Sequence, residues 1–214
     1  MVNIAVLVSG GGTNLQALID AQAAGALANG RLCAVISSKE GAYALERAKA
    51  AGIPAFVLQK KDCAGQADYE DKLAQLIEGV DAGLIVLAGF MTVLSAAFVQ
   101  RFENRILNVH PSLIPSFCGD GFYGLKVHEA ALQKGVRVTG ATVHFVNEIT
   151  DGGAIVLQKA VDVLPDDTPQ TLQKRVMAQA EHVLLPRAVS LFCQGRLQVA
   201  DGRVRILERE GETI

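Results

Sequence analysis

The chain has 214 residues, half of them hydrophobic, and its formal net charge of −2 comes with basic residues that are scattered rather than clustered. This balance is typical of a globular protein with a sizeable core and argues against a nucleic-acid-binding surface. The longest apolar runs, such as residues 83–91, are too short to span a bilayer. Residues 2–8 lack the charged lead of a signal peptide, and the four cysteines show no CxxC spacing, so we expect a reduced, cytoplasmic protein.

Strand-like and helix-like segments alternate through the first half of the chain. Buried strands are predicted at residues 2–8, 31–37, 54–59, 82–89 and 105–110, with helices between them at 14–25, 43–52, 68–79 and 95–102. The strands are almost continuously apolar, which is typical of a parallel sheet covered on both faces, and each helix allows a right-handed crossover. We therefore predict an α/β fold built on a doubly wound, mostly parallel sheet.

The pattern changes after Pro111, where loop residues extend to about residue 124. Beyond them we predict a helix at 126–135, an antiparallel strand pair at 138–146 and 154–163, and a long helix at 168–192 capped by Asp167 or Thr168. Asp201-Gly202 between two alternating runs predicts a final hairpin. We expect one domain at 1–195, with halves at 1–111 and 112–195, and a hairpin tail at 196–214.

A glycine-rich turn, Ser9-Gly10-Gly11-Gly12-Thr13-Asn14, lies between the first predicted strand and the first helix. Glycines let a backbone approach a ligand closely, and a helix N-terminus attracts anions, so a phosphate group is the expected ligand of this turn. The turn is not a dinucleotide fingerprint, because Leu15 stands where a glycine would be needed, and it has no Walker lysine. The alternative is a tight turn in which Thr13 or Asn14 caps the helix.

The fifth predicted strand ends with Asn108 and His110, whose side chains point to the same face because they are two residues apart. An amide and an imidazole at the rim of an α/β sheet suit a carbonyl that becomes an oxyanion. Asp151, in the loop before Gly152-Gly153, would raise the pKa of His110 if it lies nearby. The alternatives are a hydrogen-bonded strand end and an ordinary Asp-Gly turn.

Other reactive residues fit known catalytic patterns poorly. Ser112 has no G-x-S-x-G elbow around it, so a serine hydrolase is disfavoured. The histidines show no H-x-x-x-H spacing, so we predict no metal, and we interpret His144 and His182 as structural. Cys118, in a glycine-rich loop, is a weak candidate nucleophile.

Several segments together resemble the phosphoribosylglycinamide formyltransferase family over about residues 2–195. The segments are VLVSGGGTNLQALID, VLAGFMTVLS, ILNVHPSLIPSF, GATVHFVNEITDGGAIVLQ and AEHVLLPRAV. The resemblance implies a Rossmann-like formyltransferase fold. It also implies formyl transfer from 10-formyltetrahydrofolate, as co-substrate, to the amine of glycinamide ribonucleotide in purine synthesis. The implied partners are small molecules, with no nucleic acid, membrane or metal, and the implied state is a monomer or homodimer.

The resemblance also implies roles for individual residues. Asn108, His110 and Asp151 match the catalytic trio. Substrate-binding positions are matched by Gly12, Thr13, Asn14 and Glu181, the last near the substrate amine. Folate-binding positions are matched by Met91, Thr92, Val93, Leu94, Gln66, Asn108, Asn147, Glu148, Ile149, Thr150 and Asp151.

This chain departs from the family pattern at several of these positions. Thr92 stands where family members often carry an arginine that contacts folate, and Gln66 stands where some members carry one. The loop at 117–126 is of a different type, and the helix before Glu181 is one residue longer than in some relatives. Formyl transfer to another amine, hydrolysis of the formyl folate, and a non-catalytic sensor of a phosphorylated metabolite stay open as alternatives.

Overall fold

Seven strands form one sheet in the computed structural model, which describes residues 1–208. The strands are β1 (Val2–Val8), β2 (Gly30–Ser37), β3 (Ala55–Val57), β4 (Leu84–Leu87), β5 (Ile106–His110), β6 (Val138–Phe145) and β7 (Ile155–Asp162). Their order is β3-β2-β1-β4-β5-β6-β7, and the first five are parallel whereas β6 and β7 are antiparallel to their neighbours. The predicted fold class and the change of direction after Pro111 are confirmed.

Helices cover both faces of the sheet, which explains why the parallel strands are apolar on both sides. They are α1 (Thr13–Ala23), α2 (Tyr43–Ala50), α3 (Gln66–Gly79), α4 (Ala96–Arg101), α5 (Leu125–Lys134), α6 (Pro169–Val176) and α7 (His182–Cys193). One core lies beneath α1 and α7, and a second lies beneath α3 and α4 around Tyr69 and Phe102. Each predicted element before residue 164 is present, with bounds shifted by a few residues at most.

The predicted long helix at 168–192 is present in three consecutive pieces, because a π turn at Met177–Glu181 separates α6 from α7. A π turn holds an extra residue within a helix and is frequent at functional sites. Of the two caps considered, Thr168 is the N-cap, and its side chain accepts a hydrogen bond from the Thr171 N–H. The extra residue noted before Glu181 therefore falls in a stretch where the helix is wound more widely.

The predicted C-terminal hairpin is formed by β8 (Leu197–Ala200) and β9 (Arg203–Ile206) in a sheet of their own. Its turn residues Asp201 and Gly202 have φ values of 49° and 69°, as a two-residue hairpin turn requires. The last residues of the predicted tail, 209–214, lie outside the described residues.

The strand order reverses between β1 and β4, and ligands of open α/β sheets bind at the carboxyl ends of the strands near such a point. The glycine turn follows β1, residues 88–94 follow β4, and His110 ends β5. The Met91 N–H donates to Ser9 Oγ over 2.9 Å, which ties the first two segments together. Within the described residues, no helix is long and apolar enough to cross a membrane.

Candidate active site

The structure brings Asn108, His110 and Asp151 together at the end of β5. His110 Nδ1 lies 3.4 Å from Asp151 Oδ2, and Asn108 Nδ2 lies 3.5 Å from Asp151 Oδ1. The ring of His110 is almost completely buried, and the carboxylate is nearly so. Asp151, which lies more than forty positions further along the chain in a loop, thus forms one polar cluster with the two residues of β5.

The Asp151-Gly152-Gly153 turn is shaped by close backbone packing. Asp151 itself has a φ of 55°, in the left-handed region. A Cβ atom placed on Gly153 would lie 1.7 Å from the Phe145 carbonyl oxygen, so only glycine fits there. The turn therefore brings the chain tightly back onto the end of β6 and directs Asp151 toward β5.

His144 belongs to this cluster, although its place in a predicted apolar strand indicated a structural role. It pairs with Asn108 across β5 and β6, and its Nε2 lies 3.1 Å from Asn108 Nδ2 and 3.6 Å from Asp151 Oδ1. Its Nδ1 lies 2.8 Å from the Phe145 carbonyl oxygen, so Nδ1 carries a hydrogen and Nε2 of the neutral ring is an acceptor. His144 therefore orients the Asn108 amide. The antiparallel register of β5 and β6 was the missing signal.

The loop after β5 closes onto the cluster through its backbone. His110 Nε2 donates to the Phe117 carbonyl over 2.9 Å, and the Gly119 N–H donates to Asp151 Oδ2 over 2.9 Å. A third bond, from Thr150 Oγ1 to Asp120 Oδ1, joins the two loops at the surface. Both nitrogens of His110 therefore face acceptors within the protein.

Burial lowers the pKa of His110 below its ordinary value, and this outweighs the opposite effects of the Asp151 charge and the Phe117 carbonyl. The expectation that Asp151 raises the pKa of His110 is correct for that one interaction but wrong for the net shift. Burial alone would raise the pKa of Asp151, yet the neighbouring His144, the hydrogen bond from the Gly119 N–H and the nearby His110 hold it below its ordinary value. The free site thus pairs a carboxylate whose charged form is favoured with an imidazole whose charged form is disfavoured by burial.

The remaining candidates near the loop are poor reactive groups. Burial and the negative charge of Asp151 raise the pKa of the Cys118 thiol, which disfavours the thiolate that a nucleophile needs. His128 is fully buried, and burial lowers its pKa to about 4. Within residues 1–208, no group of three or more His, Cys, Asp or Glu side chains has the arrangement of a metal site.

At the glycine turn, Gly12 is the N-cap of α1, with a φ of 70° and no side-chain cap. The alternative in which Thr13 or Asn14 caps this helix is therefore wrong. Asn14 instead reaches across the fold, and its Nδ2 donates to Glu181 Oε2 over 2.7 Å. Among residues 1–208, no side chain caps the first amides of α1, as an anion site requires.

Glu181 lies in the π turn and is almost completely buried. Burial raises its pKa to about 7, and the Asn14 amide offsets this only in part. The Asn14 Oδ1 atom is buried too, and within the described residues it has no hydrogen-bond partner. The pair therefore offers a carboxyl group and a free acceptor to a polar ligand.

A cavity of about 510 Å³ opens beside the cluster. Its wall includes Asn108 and His110, the 91–94 segment, the loop at 119–124 and residues 147–151. Apart from Gln66, all the positions expected to bind folate thus line one cavity. Gln66 is absent from the wall, and its Nε2 donates to the Val93 carbonyl over 3.1 Å, so it supports that segment.

Comparisons with known proteins agree with this geometry. A sequence profile of the formyl transferase family matches residues 2–189. The phosphoribosylglycinamide formyltransferase of Haemophilus influenzae is 42% identical over 201 residues, which cover 94% of this chain and 92% of that protein.

Solved structures lead to the same family. Glycinamide ribonucleotide transformylase 1 from Symbiobacterium toebii superimposes with a TM-score of 0.91 at 42% identity, over 97% of this chain and 95% of that one. A formyltetrahydrofolate deformylase from Pseudomonas syringae has a TM-score of 0.86 at 23% identity, over 97% of this chain and 66% of that one, which shows a common fold alone. The chain belongs to the formyl transferase family, within its group of phosphoribosylglycinamide formyltransferases.

Proposed function

We propose that the protein transfers the formyl group of 10-formyltetrahydrofolate to the amine of phosphoribosylglycinamide, a step of purine synthesis. The observation that carries this proposal is the cluster of Asn108, His110 and Asp151 in the wall of a cavity, in a chain of this family. The cavity has a volume that suits a ligand of the size of a folate.

The two substrates bind on either side of the cluster. The phosphate of the acceptor binds the turn at Gly12, Thr13 and Asn14, where no described side chain caps the first amides of α1. Glu181, bonded to Asn14, accepts hydrogen bonds from polar groups of the same substrate near its amine. The folate lies against residues 91–94 and 147–151 in the cavity.

The reaction is a direct attack of the substrate amine on the formyl carbon. A carbon–nitrogen bond forms, and the formyl oxygen becomes an oxyanion that accepts hydrogen bonds from Asn108 and His110. The neutral ring of His110, with its hydrogen on Nδ1 facing Asp151, first takes at Nε2 the proton that the attacking amine loses. The new Nε2–H then donates to the oxyanion, and the ionised Asp151 stabilises the imidazolium. The imidazolium then protonates the folate N10 as its bond to the formyl carbon breaks.

His110 must exchange one hydrogen bond to act in this way. Its Nδ1 faces Asp151, which leaves Nε2 for the substrate, and Nε2 is bonded to the Phe117 carbonyl in the free protein. Substrate binding therefore displaces the Phe117 carbonyl from the ring, and the hydrogen of the neutral ring then lies on Nδ1, toward Asp151. Asn108 needs no comparable change, because one of its amide hydrogens is held by His144 and the other makes only a long contact with Asp151.

The setting of the reaction follows from the same properties. The described residues hold four free cysteines, which agrees with a reducing compartment, and we place the enzyme in the cytoplasm. Its partners are its small-molecule substrates, and the active site described above lies within one chain, so a monomer or a homodimer would serve.

The test is an absorbance assay of formyl release from 10-formyl-5,8-dideazafolate or 10-formyltetrahydrofolate, with and without phosphoribosylglycinamide. We expect release that depends on the ribonucleotide and is stoichiometric with N-formyl product. Release at the same rate without the ribonucleotide would identify a hydrolase, the activity of the deformylase whose fold is similar. No release in either case would contradict formyl transfer to this acceptor.

A further inference from the structure

Arg47 on α2 forms hydrogen bonds with the glycine turn and with the first helix. Its Nε donates to the Gly11 carbonyl over 2.9 Å, and its Nη1 donates to Gln16 Oε1 over 2.8 Å. The guanidinium also lies over the Tyr43 ring, 4.9 Å from the centroid. Among the described residues, no carboxylate forms an ion pair with Arg47.

A second contact from α2 holds the neighbouring carbonyl. The Ala44 N–H donates to the Gly10 oxygen over 3.1 Å. The two helices approach so closely here that a Cβ atom on Gly12 would lie 2.6 Å from Ala44 Cβ. Two successive carbonyls of the turn are therefore fixed toward α2.

The direction of these carbonyls decides where the amides point. In a trans peptide the C=O and N–H groups point in opposite directions. Fixing the oxygens of Gly10 and Gly11 on α2 therefore directs the N–H groups of Gly11 and Gly12 away from α2. Successive amides that converge in this way form an anion-binding concavity at the N-terminus of α1.

We infer that Arg47 is a positioning residue for the phosphate group of the acceptor substrate. It holds the glycine turn in the shape that presents its amides, and it adds a positive charge behind them that no described carboxylate neutralises. This inference rests on the proposed phosphate site at residues 12–14. It predicts that Arg47 contributes to binding of a phosphorylated acceptor and contributes little to the chemical step at His110.

The experiment compares the wild type with Arg47→Met, which keeps the length of the side chain but removes both hydrogen bonds and the charge. Each enzyme is assayed with phosphoribosylglycinamide and with the dephosphorylated riboside of glycinamide. For Arg47→Met we expect KM for the phosphorylated acceptor to rise roughly tenfold, as expected for losing a charge-assisted hydrogen bond. The kcat, the KM for folate and kcat/KM for the riboside should change by less than roughly twofold, within the small effect typical of an uninvolved surface residue.

Arg101→Met is the matched control, because Arg101 also makes two side-chain hydrogen bonds, but with Glu78 and away from the turn. Equal losses for both acceptors in Arg47→Met would show a merely structural role and overturn the inference. Equal KM values for the two acceptors in the wild type would instead show that the glycine turn does not bind the phosphate. The proposed role of Arg47 would then be wrong as well. Preference for the phosphorylated acceptor that is undiminished in Arg47→Met would overturn the role of Arg47 alone.

Discussion

Asp151 and Glu181 are two carboxyl groups with little solvent exposure, Glu181 being the more deeply buried, and their pKa values shift in opposite directions. Asp151 faces two imidazoles and the Gly119 N–H, and its pKa is lowered. Glu181 has the Asn14 amide as its described hydrogen-bond partner, and burial raises its pKa to about 7. Burial penalises both charges, and it penalises Glu181 more, so the depth of each group and the number and charge of its partners together decide the outcome.

The difference has a functional reading. The ionised Asp151 is already compensated in the free protein, so its charge is available to stabilise an imidazolium during the reaction. Among the described residues, Glu181 has a single hydrogen-bond donor and the buried Asn14 Oδ1 has none. A bound polar ligand would supply the missing hydrogen bonds. The part of the site around Asp151 is therefore suited to catalysis, and the part around Glu181 is suited to binding a polar substrate.

The largest loss of catalytic rate should come from removing the two side chains beside Asp151 that donate hydrogen bonds to the oxyanion. Asn108→Ala and His110→Ala should each lower kcat by roughly a hundredfold or more, because each removes a donor to the oxyanion. Steady-state kinetics with both substrates measures this, and KM should change little. A variant with near-normal kcat would show that its residue has no part in the chemical step.

Asp151→Asn should have a somewhat smaller effect and should change the pH dependence. The carboxylate raises the pKa of His110, so its loss lowers that pKa further, and the acid limb of the kcat/KM profile should move to lower pH. We expect kcat to fall by roughly ten- to a hundredfold as the imidazolium loses its counter-ion. Asp71→Asn, an exposed site on α3, is the control, and an unchanged acid limb in Asp151→Asn would contradict the coupling.

Glu181→Gln should have the smallest effect on the chemical step but a visible effect on stability. In the wild type, the unfolded chain releases the Glu181 proton near pH 4.5 whereas the folded protein keeps it to about pH 7. Stability should therefore fall as pH rises through this window, by roughly 3 kcal/mol in all. Glutamine keeps an acceptor for Asn14 but carries no charge, so the variant should not show this loss.

Urea unfolding of wild type and Glu181→Gln at pH 5 and pH 8 measures this difference. The free energy of unfolding of the variant should exceed that of the wild type at pH 8, and the gap should narrow at pH 5. Glu129→Gln, on the exposed side of α5, should show no such gap. A wild type whose stability does not fall between these pH values would mean that Glu181 is already compensated in the folded protein.

The candidate site was predictable from the sequence where its residues share a strand end or a turn. Asn108 and His110 are two apart at the end of an apolar run, and Asp151 precedes two glycines, so local patterns marked all three. His144 carried no such mark, because a histidine in an apolar strand is usually structural. Its position opposite Asn108 depends on the register of β5 and β6, which no local pattern specifies.

The charge state of His110 shows a second limit of the sequence. The sequence identified the carboxylate that raises the pKa of the ring, and that interaction has the expected sign. It could not show how deeply the ring is buried, nor that the Phe117 carbonyl occupies its Nε2. Desolvation depends on every neighbouring segment at once, and here it outweighs the single charge.

By itself, the sequence determined the element order, the parallel sheet and the rim on which the polar residues gather, because the alternation of hydrophobic segments and the position of each turn are local properties. Only the tertiary structure decided which of those residues touch: the Asn14–Glu181 pair, the place of His144 and the contacts of Arg47 all join distant segments. Their geometry depends on strand register, helix packing and burial. These are properties of the whole fold, and they are also what sets the pKa values on which the proposed chemistry depends.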